Sequence, residues 1–382
     1  MLKILHIIPS LRKGGAERLV LNICNGLLKQ GFDVLLVVMY EQNEYPELSE
    51  NINIRCCSSR LAPSLSGKAK IEIDDFINIV NEFKPDIIHS HLFEAEILSR
   101  WKLFPGIVYI SHCHGNIRQF KKFDLNCFLK KSRLTDLYER KIIIDRYRKC
   151  RNNFIAVSRD TELFLKNNLP NDLHNFTLMH NAIDCNKFRR IESCNKFMHD
   201  HKNIRLINTG SFVDNKNQAF LIDVVKVLHG KGYNVSLELL GYGPNMKKIE
   251  NKINKTGLSD RIYCRGNVNV EDYLCKADIY VHSAVYESFG LVLVEAMAAG
   301  LPVVTLDGKG NKDLIEEGKN GYILFKQDAE QFADKILKLW TNTEKYKEMS
   351  IYAKQFAMQF DIKEYIDKLV NTYRSLSVVT DY

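Results

Sequence analysis

The sequence predicts an α/β protein of two domains, each built on a parallel sheet. Short apolar strands alternate with helical patterns along the chain, as is typical of parallel sheets covered by helices. With 382 residues, the chain is long enough for two domains of ordinary size. The alternation stops at the polar stretch 187–203 and then restarts. We therefore expect domains at 1–186 and 204–361, with 187–203 as their linker.

The expected elements follow from apolar runs and their spacing. In the first half, seven short runs have the length and composition of strands: Leu2–Ile8, Val34–Met39, Ile52–Cys56, Ile87–His89, Val108–Ser111, Phe154–Val157 and Thr177–His180. Helical periodicity predicts four helices there: Ala16–Lys29, Ile71–Phe83, Glu94–Trp101 and much of Lys121–Arg148. The second half has six further strands: Ile204–Asn208, Val235–Leu240, Ile262–Arg265, Ile279–His282, Val303–Thr305 and Tyr322–Phe325. From about Ala329 onward the pattern is helical.

The net charge of +8 comes from one segment. Residues 118–151 hold twelve Lys and Arg against four Asp and Glu, and the rest of the chain is neutral. Aromatic residues are interleaved with these cations: Phe120, Phe123, Phe128, Tyr138 and Tyr147. This combination suits an anionic lipid surface, whereas no recognition motif indicates nucleic acid. We therefore expect no nucleic-acid partner and docking on an anionic membrane through 118–151, with a solvated basic helix face as the alternative.

The remaining composition predicts a cytoplasmic protein, peripheral at most on the inner membrane face. No run of eighteen apolar residues indicates a spanning helix. The apolar start of the chain contains Lys3 and His6 and indicates a first strand rather than a signal peptide. The ten cysteines are scattered without a C-x2-C pair, so we expect free thiols in a reducing compartment.

The segment from Glu287 to Glu295 is the most informative part of the chain. Two carboxylates bracket a glycine-containing entrance to an apolar helix, which Gly300 ends. If the helix begins near Ser288, its unpaired N–H groups favour an anion or a ring of hydroxyls; these groups belong to Phe289, Gly290 and Leu291. Eight residues at helical rise span roughly 12 Å, which suits one carboxylate on a sugar and the other on a ribose. A surface helix with two solvated carboxylates is the alternative.

This segment resembles the Glu-x7-Glu motif of retaining glycosyltransferases of family 4. The resemblance covers nearly the whole chain, from Lys3 to about Phe325, and its specific part is the stretch from Ser283 to Val304. It implies the GT-B fold, in which two Rossmann-like domains face each other across a cleft and a last helix, here about 362–382, crosses back to the first domain. It also implies a nucleotide-sugar donor, retention at the anomeric carbon and no metal or other cofactor. By analogy, the acceptor would be a glycan or lipid-linked glycan of a bacterial surface polysaccharide, such as lipopolysaccharide or capsule.

The resemblance also assigns a donor side. Glu295 would hold the ribose, and Glu287 with the helix N–H groups would hold the sugar. Lys216 is in register with a family lysine that neutralises the departing diphosphate, but Ser211 replaces the arginine that normally accompanies it. Arg12, Lys13 and Arg265 are the candidates to replace that arginine, and the sequence does not choose among them. The remaining donor-side positions lie in turns after strands: Gly14 and Gly15 in a Gly-Gly-Ala-Glu loop, Gly241 and Gly243 in a Gly-x-Gly-Pro turn, and Arg265 with Gly266 near the base.

Histidine pairs two residues apart suggest an acceptor side or a metal site. The pairs are His89/His91, His112/His114 and His199/His201, and on a strand such residues share a face. No carboxylate or cysteine accompanies them at ligand spacing, and enzymes of the resembled fold generally need no metal, so we expect none. The resemblance places His114, or His112 in the alternate register, near the donor sugar or acceptor hydroxyl, and His91 more weakly in the same region. On this reading Glu287, Lys216 and His114 are the catalytic residues.

Two other functions fit parts of the sequence. A nucleotide-sugar epimerase shares the resembled fold but would place acid and base carboxylates near the sugar. A nucleotide-sugar-binding protein without activity would explain Ser211. The retention of Lys216, Glu287 and Glu295 favours the transferase.

Overall fold

The computed structural model describes residues 2–62, 70–122, 131–188 and 203–378. The chain divides into two compact units, one holding the residues up to Asn181 and those from Ile362 onward, the other Ala182–Asp361. The boundary between the units lies after Asn181, before the expected boundary at 186, because the residues that follow Asn181 form hydrogen bonds within the second unit. There, the Ile183 amide donates to the Phe360 carbonyl at 3.0 Å. Most of the expected linker, including His199 and His201, lies outside the described residues.

The first unit is built on a seven-stranded parallel sheet. Its strands are β1 (Lys3–Ile8), β2 (Asp33–Val38), β3 (Asn53–Cys56), β6 (Ile87–His91), β7 (Val108–Cys113), β8 (Asn153–Ala156) and β9 (Phe176–Leu178). Two short strands, β4 (Arg60–Ala62) and β5 (Lys70–Glu72), form a separate antiparallel pair outside this sheet. The sheet order is β3-β2-β1-β6-β7-β8-β9. Strand order therefore reverses between β1 and β6, the position where open α/β sheets bind ligands.

Helices cover this sheet. They are α1 (Gly15–Lys29), α2 (Pro46–Ser49), α3 (Asp74–Phe83), α4 (Phe93–Trp101), α5 (Lys131–Lys149) and α6 (Arg159–Asn168). The expected helix from Ile71 begins only at Asp74, because residues 70–72 pair with 60–62 as strands. The expected helix from Lys121 begins, within the described residues, at Lys131.

A buried polar network joins α4 to β6 and β7. Glu96 and Arg100 form an ion pair at 2.9 Å, with both side chains almost fully buried. Arg100 also donates to the Asn152 amide oxygen, and Glu96 accepts from Ser111 at 2.6 Å and Tyr147 at 3.1 Å. Because nearly every donor and acceptor here is paired, two charges are tolerated beneath the sheet.

The second unit has a six-stranded parallel sheet. Its strands are β10 (Asn203–Thr209), β11 (Asn234–Leu240), β12 (Ile262–Gly266), β13 (Ile279–His282), β14 (Val303–Leu306) and β15 (Gly321–Leu324), in the order β12-β11-β10-β13-β14-β15. Its helices are α7 (Gln218–Gly230), α8 (Met246–Thr256), α9 (Val270–Leu274), α10 (Leu291–Ala298), α11 (Ala329–Trp340) and α12 (Thr343–Ala357). Strand order reverses between β10 and β13. Two parallel-sheet units thus confirm the α/β class.

The last helix, α13 (Ile362–Val378), belongs to the first unit and packs on α1. A Cβ added to Gly26 of α1 would lie 2.6 Å from the Ile366 side chain. The glycine therefore permits close contact between the two helices. Farther along α13, the Tyr373 hydroxyl bonds His89 of β6 at 2.6 Å.

Two of the five aromatic residues in the basic segment 118–151 belong to the protein core rather than to an exposed surface. Phe120 and Tyr147 are fully buried in the core of the first unit, and Phe123 and Phe128 lie outside the described residues. Several cations are paired, including Arg118 with Asp136 and Arg148 with Asp172. Among the described residues, no helix has the length and hydropathy that crossing a membrane requires.

Candidate functional site

An ion pair stands at the switch point of the second sheet. Lys216 ends a 3₁₀ turn after β10, and Glu287 follows β13, the strand beside β10. The Lys216 ammonium lies 2.5 Å from a Glu287 carboxylate oxygen, and both side chains are largely buried. The structure thus brings together two of the predicted catalytic residues, beyond the carboxyl ends of the two strands where parallel sheets bind ligands.

The backbone around Lys216 is tied to the strand end that precedes Glu287. The Ser283 hydroxyl donates to the Lys216 carbonyl at 2.8 Å. The Val285 amide donates to the Asn215 carbonyl at 2.9 Å. Asn217 then takes a left-handed conformation, with φ of 51°, before α7 begins. These contacts fix the lysine loop against the glutamate segment.

A cation and a histidine ring beside Glu287 keep its carboxylate ionised. Burial alone would raise the pKa of Glu287, but His282 and the Lys216 ammonium outweigh it and lower that pKa to about 2. A ring nitrogen of His282 lies 3.4 Å from the carboxylate. Burial lowers the pKa of His282 itself. Glu287 is thus an anion that accepts hydrogen bonds, which suits sugar hydroxyls.

A glycine loop after β14 holds the Glu287 backbone. The Glu287 amide donates to the Gly308 carbonyl at 2.7 Å, and its carbonyl accepts from the Gly310 amide at 2.9 Å. A Cβ added to Gly310 would lie 2.0 Å from the Ser288 carbonyl oxygen. Sequence reasoning missed His282, Gly308 and Gly310. The signal available was a pair of glycines two and four residues after a buried strand.

The helix after Glu287 starts later than the sequence suggested. It begins at Leu291, not near Ser288, because Gly290 takes a left-handed φ of 101° as its N-cap. The Leu293 amide bonds the Gly290 carbonyl at 2.9 Å, so within the helix only the amides of Leu291 and Val292 lack an acceptor. Residues 288–290 are not helical, and the span of roughly 12 Å estimated from helical rise does not apply.

The side chains of this segment divide between core and site. Phe289 is buried and packs against Phe360, so its side chain belongs to the core. Glu295 is also buried, on the middle of α10. The structure therefore excludes the alternative of a surface helix with two solvated carboxylates.

Two predicted donor glycines serve a close backbone contact. A Cβ on Gly241 would lie 2.1 Å from the Gly210 carbonyl oxygen, and one on Gly243 would lie 2.5 Å from the Phe212 carbonyl oxygen. These contacts place the loop after β11 directly against the loop that carries Ser211. Ser211 is exposed, and its carbonyl accepts from Gln218 at 3.1 Å.

Arg265, one candidate to replace the arginine missing at Ser211, is paired with an acid of its own sheet. Its guanidinium donates to both oxygens of Glu238, at 2.7 and 3.1 Å, and lies over the Tyr263 ring. The hydrogen bond with Glu238 raises the pKa of Arg265. The charge of Arg265 is thus neutralised by an acid on the neighbouring strand. Gly266, the next residue, has a left-handed φ of 69°.

In the first unit, Gly14 and Gly15 begin α1 as expected, and the Glu17 side chain lies against Gly14. Gly14 is the N-cap, and a Cβ added there would lie 2.1 Å from a Glu17 carboxylate oxygen. The Tyr45 hydroxyl contacts both the amide and the carbonyl of Gly14 at 3.0 Å. Burial raises the pKa of Glu17. An anion at this helix start would therefore have to displace the Glu17 side chain.

The predicted acceptor-side histidines lie in a larger cluster. His91, His112 and His114 stack with His6 and His89, with ring centroids 4.3 to 5.3 Å apart. Burial lowers the pKa of His114 to about 3 and lowers that of His91 and His112 well below the ordinary value. All three rings are thus neutral near pH 7. A base with a pKa near 3 is weak, so His114 is better suited to positioning a hydroxyl than to removing its proton.

Each half of the chain matches a known family of glycosyltransferases. Residues 13–187 match the family described as Glycosyltransferase Family 4, and residues 190–356 match Glycosyl transferases group 1. An uncharacterized glycosyltransferase of Haemophilus influenzae is 24% identical over 93% of this chain and 95% of its own length. A poly(ribitol-phosphate) alpha-N-acetylglucosaminyltransferase of Staphylococcus aureus is 24% identical over 88% of this chain and 66% of its own length.

Solved structures identify the architecture. Anabaena Alr3699/HepE in complex with UDP and glucose superimposes with a TM-score of 0.80 at 20% identity, covering 98% of this chain and 100% of that one. At this identity the likeness shows the fold. It confirms the GT-B fold that the Glu287 segment suggested.

Proposed function

The chain belongs to the group 1 glycosyltransferases of family 4, and on that premise we propose that it transfers a sugar, with retention, from a UDP-sugar to a glycan or lipid-linked glycan. That it is a glycosyltransferase follows from its family. The donor, the stereochemistry and the acceptor are the proposal. The observation that carries it is the Lys216–Glu287 pair at the switch point of the second sheet.

The pair supports this function because its charges match the two halves of a nucleotide-sugar. Ionised Glu287 accepts hydrogen bonds from sugar hydroxyls. The Lys216 ammonium has three N–H donors, so it can keep Glu287 and still bind phosphate oxygens. As the glycosidic bond breaks, negative charge builds on the diphosphate, and a fixed cation stabilises that charge.

The other donor-side residues complete the proposal. Glu295 holds the ribose hydroxyls, and the Leu291 and Val292 amides at the start of α10 face the sugar or its phosphate. Retention proceeds by substitution on one face of the sugar, with the leaving diphosphate helping to deprotonate the acceptor. Because Ser211 stands where the family has an arginine, Lys216 is the principal cation at the diphosphate. Binding of the diphosphate by Gly14 and Gly15 remains a prediction.

The proposed acceptor is a cell-surface polymer or its lipid-linked precursor. The support is the relative named for transfer to poly(ribitol-phosphate). We propose further that residues 118–151 dock the protein on an anionic membrane. Lys121 and Lys122 are exposed, but the burial of Phe120 and Tyr147 leaves this docking chiefly electrostatic.

A donor screen tests the function. Purified protein is incubated with UDP-, GDP- and ADP-sugars, with and without membrane lipid extract, and released nucleoside diphosphate is followed. The expected result is UDP release from one donor, raised by lipid, lost in Glu295→Ala and kept in Glu330→Ala, which alters an exposed acid of α11. Conversion of a sugar to its epimer without release of diphosphate would contradict the proposal.

Vesicle sedimentation tests the docking. Neutralising Lys121, Lys122, Lys130 and Lys131 should release the protein from anionic vesicles, whereas neutralising exposed Lys247 and Lys248 of α8 should not. Because this binding is electrostatic, it should also weaken as salt rises. Binding unchanged by the first substitutions would refute the docking.

A further inference from the structure

Five histidines converge on one face of the first sheet. His6 of β1 is in register with His89 of β6, and His91 of β6 is in register with His112 of β7. Residues two apart on a strand share a face, which adds His114 to the set. The sequence alone shows the two histidine pairs on β6 and β7. His6 lies 85 positions from His91 in the sequence, and it joins the cluster because β1 pairs with β6.

The ring nitrogens of this cluster are poorly satisfied. Five buried ring nitrogens of these histidines have no hydrogen-bond partner among the described residues: His6 Nε2, His89 Nε2, His112 Nδ1, His112 Nε2 and His114 Nδ1. Unpaired buried polar atoms are rare in folded proteins and call for an explanation such as an ion or water. Of these five, His89 Nε2 lacks a protein partner while Nδ1 of the same ring bonds Tyr373, so Nε2 is the atom of His89 that is available to an ion.

We propose that His6, His89 and His91 bind a divalent transition-metal ion of the zinc type, which links β1 to β6 as a structural ion. The ligand nitrogens of these three residues all lie within 4.8 Å of one another, and all three side chains are fully buried. His6 Nδ1 and His91 Nε2 are 3.0 Å apart, close to the roughly 3.3 Å that separates two ligands of a tetrahedral ion bound at about 2.0 Å.

Outer hydrogen bonds prepare two of these rings for a metal. His89 Nδ1 bonds the Tyr373 hydroxyl at 2.6 Å, and His91 Nδ1 bonds His114 Nε2 at 3.0 Å. When Nδ1 of each ring carries the proton, Nε2 presents its lone pair. Metal-bound histidines almost always have such a partner on the second nitrogen, and it fixes the tautomer and the ring orientation. Tyr373 is thus a positioning residue.

The chemistry of the set selects the class of metal. Three imidazoles, without a carboxylate in the set, suit zinc, cobalt, nickel or copper rather than magnesium or calcium. A second set, His91, His112 and His114, shares His91. The first set is favoured because it is fully enclosed and includes the Tyr373 contact.

Metal content of the untagged full chain tests the proposal. Protein is unfolded with a chelator, refolded with excess Zn²⁺ or Co²⁺, desalted and measured by mass spectrometry. About one ion per chain is expected, with Co²⁺ giving visible absorption when bound, and a higher Tm with the ion than without it. His6→Gln and His89→Gln should lose the ion, while exposed His229→Gln and the in-cluster control His112→Gln should keep it.

Three results would overturn the proposal. The first is that the refolded wild-type protein retains less than a tenth of an equivalent of either ion. This measurement uses no variant, so a variant that fails to fold does not affect it. Another is a Tm unaffected by the ion. The third is loss of the ion in His112→Gln but not in His6→Gln, which would move the site to the second set. Tyr373→Phe should still bind the ion but with 10- to 100-fold lower affinity, measured by competition with a chelator. The proposed sugar transfer does not use this ion and stands or falls separately.

Discussion

Glu287→Gln is the substitution that tests the electrostatics of the candidate site, because it removes the charge and keeps the size of the side chain. The environment lowers the pKa of Glu287 from its ordinary 4.5 to about 2. Each tenfold change in an acid dissociation constant is worth about 1.4 kcal/mol. The folded second unit therefore favours the ionised carboxylate by about 3 kcal/mol, and Gln cannot provide this stabilisation.

The sign of the effect on stability follows from linkage. The pKa of Glu287 is lower in the folded than in the unfolded state, so its contribution is full above the ordinary pKa of 4.5 and is lost as the pH falls towards 2. Of the total, about 2 kcal/mol should disappear between pH 7 and pH 3. The free energy of unfolding of Glu287→Gln should lack this part of the pH dependence.

Two tryptophans make the second unit measurable by itself. The chain has only Trp101, in the first unit, and Trp340, buried in the second. In a Trp101→Phe background, urea unfolding followed by fluorescence at pH 7 and pH 3 reports the second unit. Glu330→Gln is the matched control, because Glu330 forms an exposed pair with Lys231. An equal loss of stability with pH in Glu287→Gln and in the parent would refute the reasoning.

Three further predictions concern other contacts. Lys216→Met should lower kcat about 100-fold or more and change donor affinity less, since the cation acts mainly on charge that develops in the transition state; single-turnover rates and donor titration separate the two. Ser211→Arg should raise kcat/KM about tenfold by adding a cation at an exposed loop position, measured with the donor found by the screen. Arg100→Leu should destabilise the first unit by about 3–5 kcal/mol, because it leaves Glu96 as an unpaired buried charge; urea unfolding of a Trp340→Phe background measures it.

Matched controls accompany these three. Lys226→Met on the exposed side of α7 should leave kcat unchanged. Ser259→Arg, in the exposed loop after α8, should not raise kcat/KM, and an equal gain there would make the Ser211 effect nonspecific. Replacing Glu96 and Arg100 together by Leu should recover part of the stability lost in Arg100→Leu. A double variant less stable than the single one would contradict the argument from an unpaired charge.

Local pattern was enough to predict most strands. Ile279–His282 was predicted and is β13 with the same bounds, since a short apolar run between polar segments is typical of a buried parallel strand. Pattern failed where a neighbour decides the conformation. Residues 70–72 continue the helical periodicity of α3 but pair with 60–62 as strands. Gly290 was expected inside the helix, yet its left-handed backbone makes it the cap.

The candidate site was predictable in its residues but not in its contacts. The motif and its spacing indicated Glu287 and Lys216, and the adjacency of β10 and β13 joins them. No local signal shows that Glu238 pairs with Arg265 or that β1 brings His6 beside His89. These contacts depend on strand order, which a single sequence does not reveal.

The stereochemistry of transfer tests the central claim most directly. A donor labelled with ¹³C at its anomeric carbon, chosen by the screen, is incubated with protein and membrane lipid extract, and NMR follows the anomeric signals. The account predicts that the donor signal declines and a product signal of the same anomeric configuration rises, with neither change in Glu287→Gln. A product of inverted configuration, or equal turnover in Glu287→Gln, would contradict a retaining transferase that works through Lys216 and Glu287.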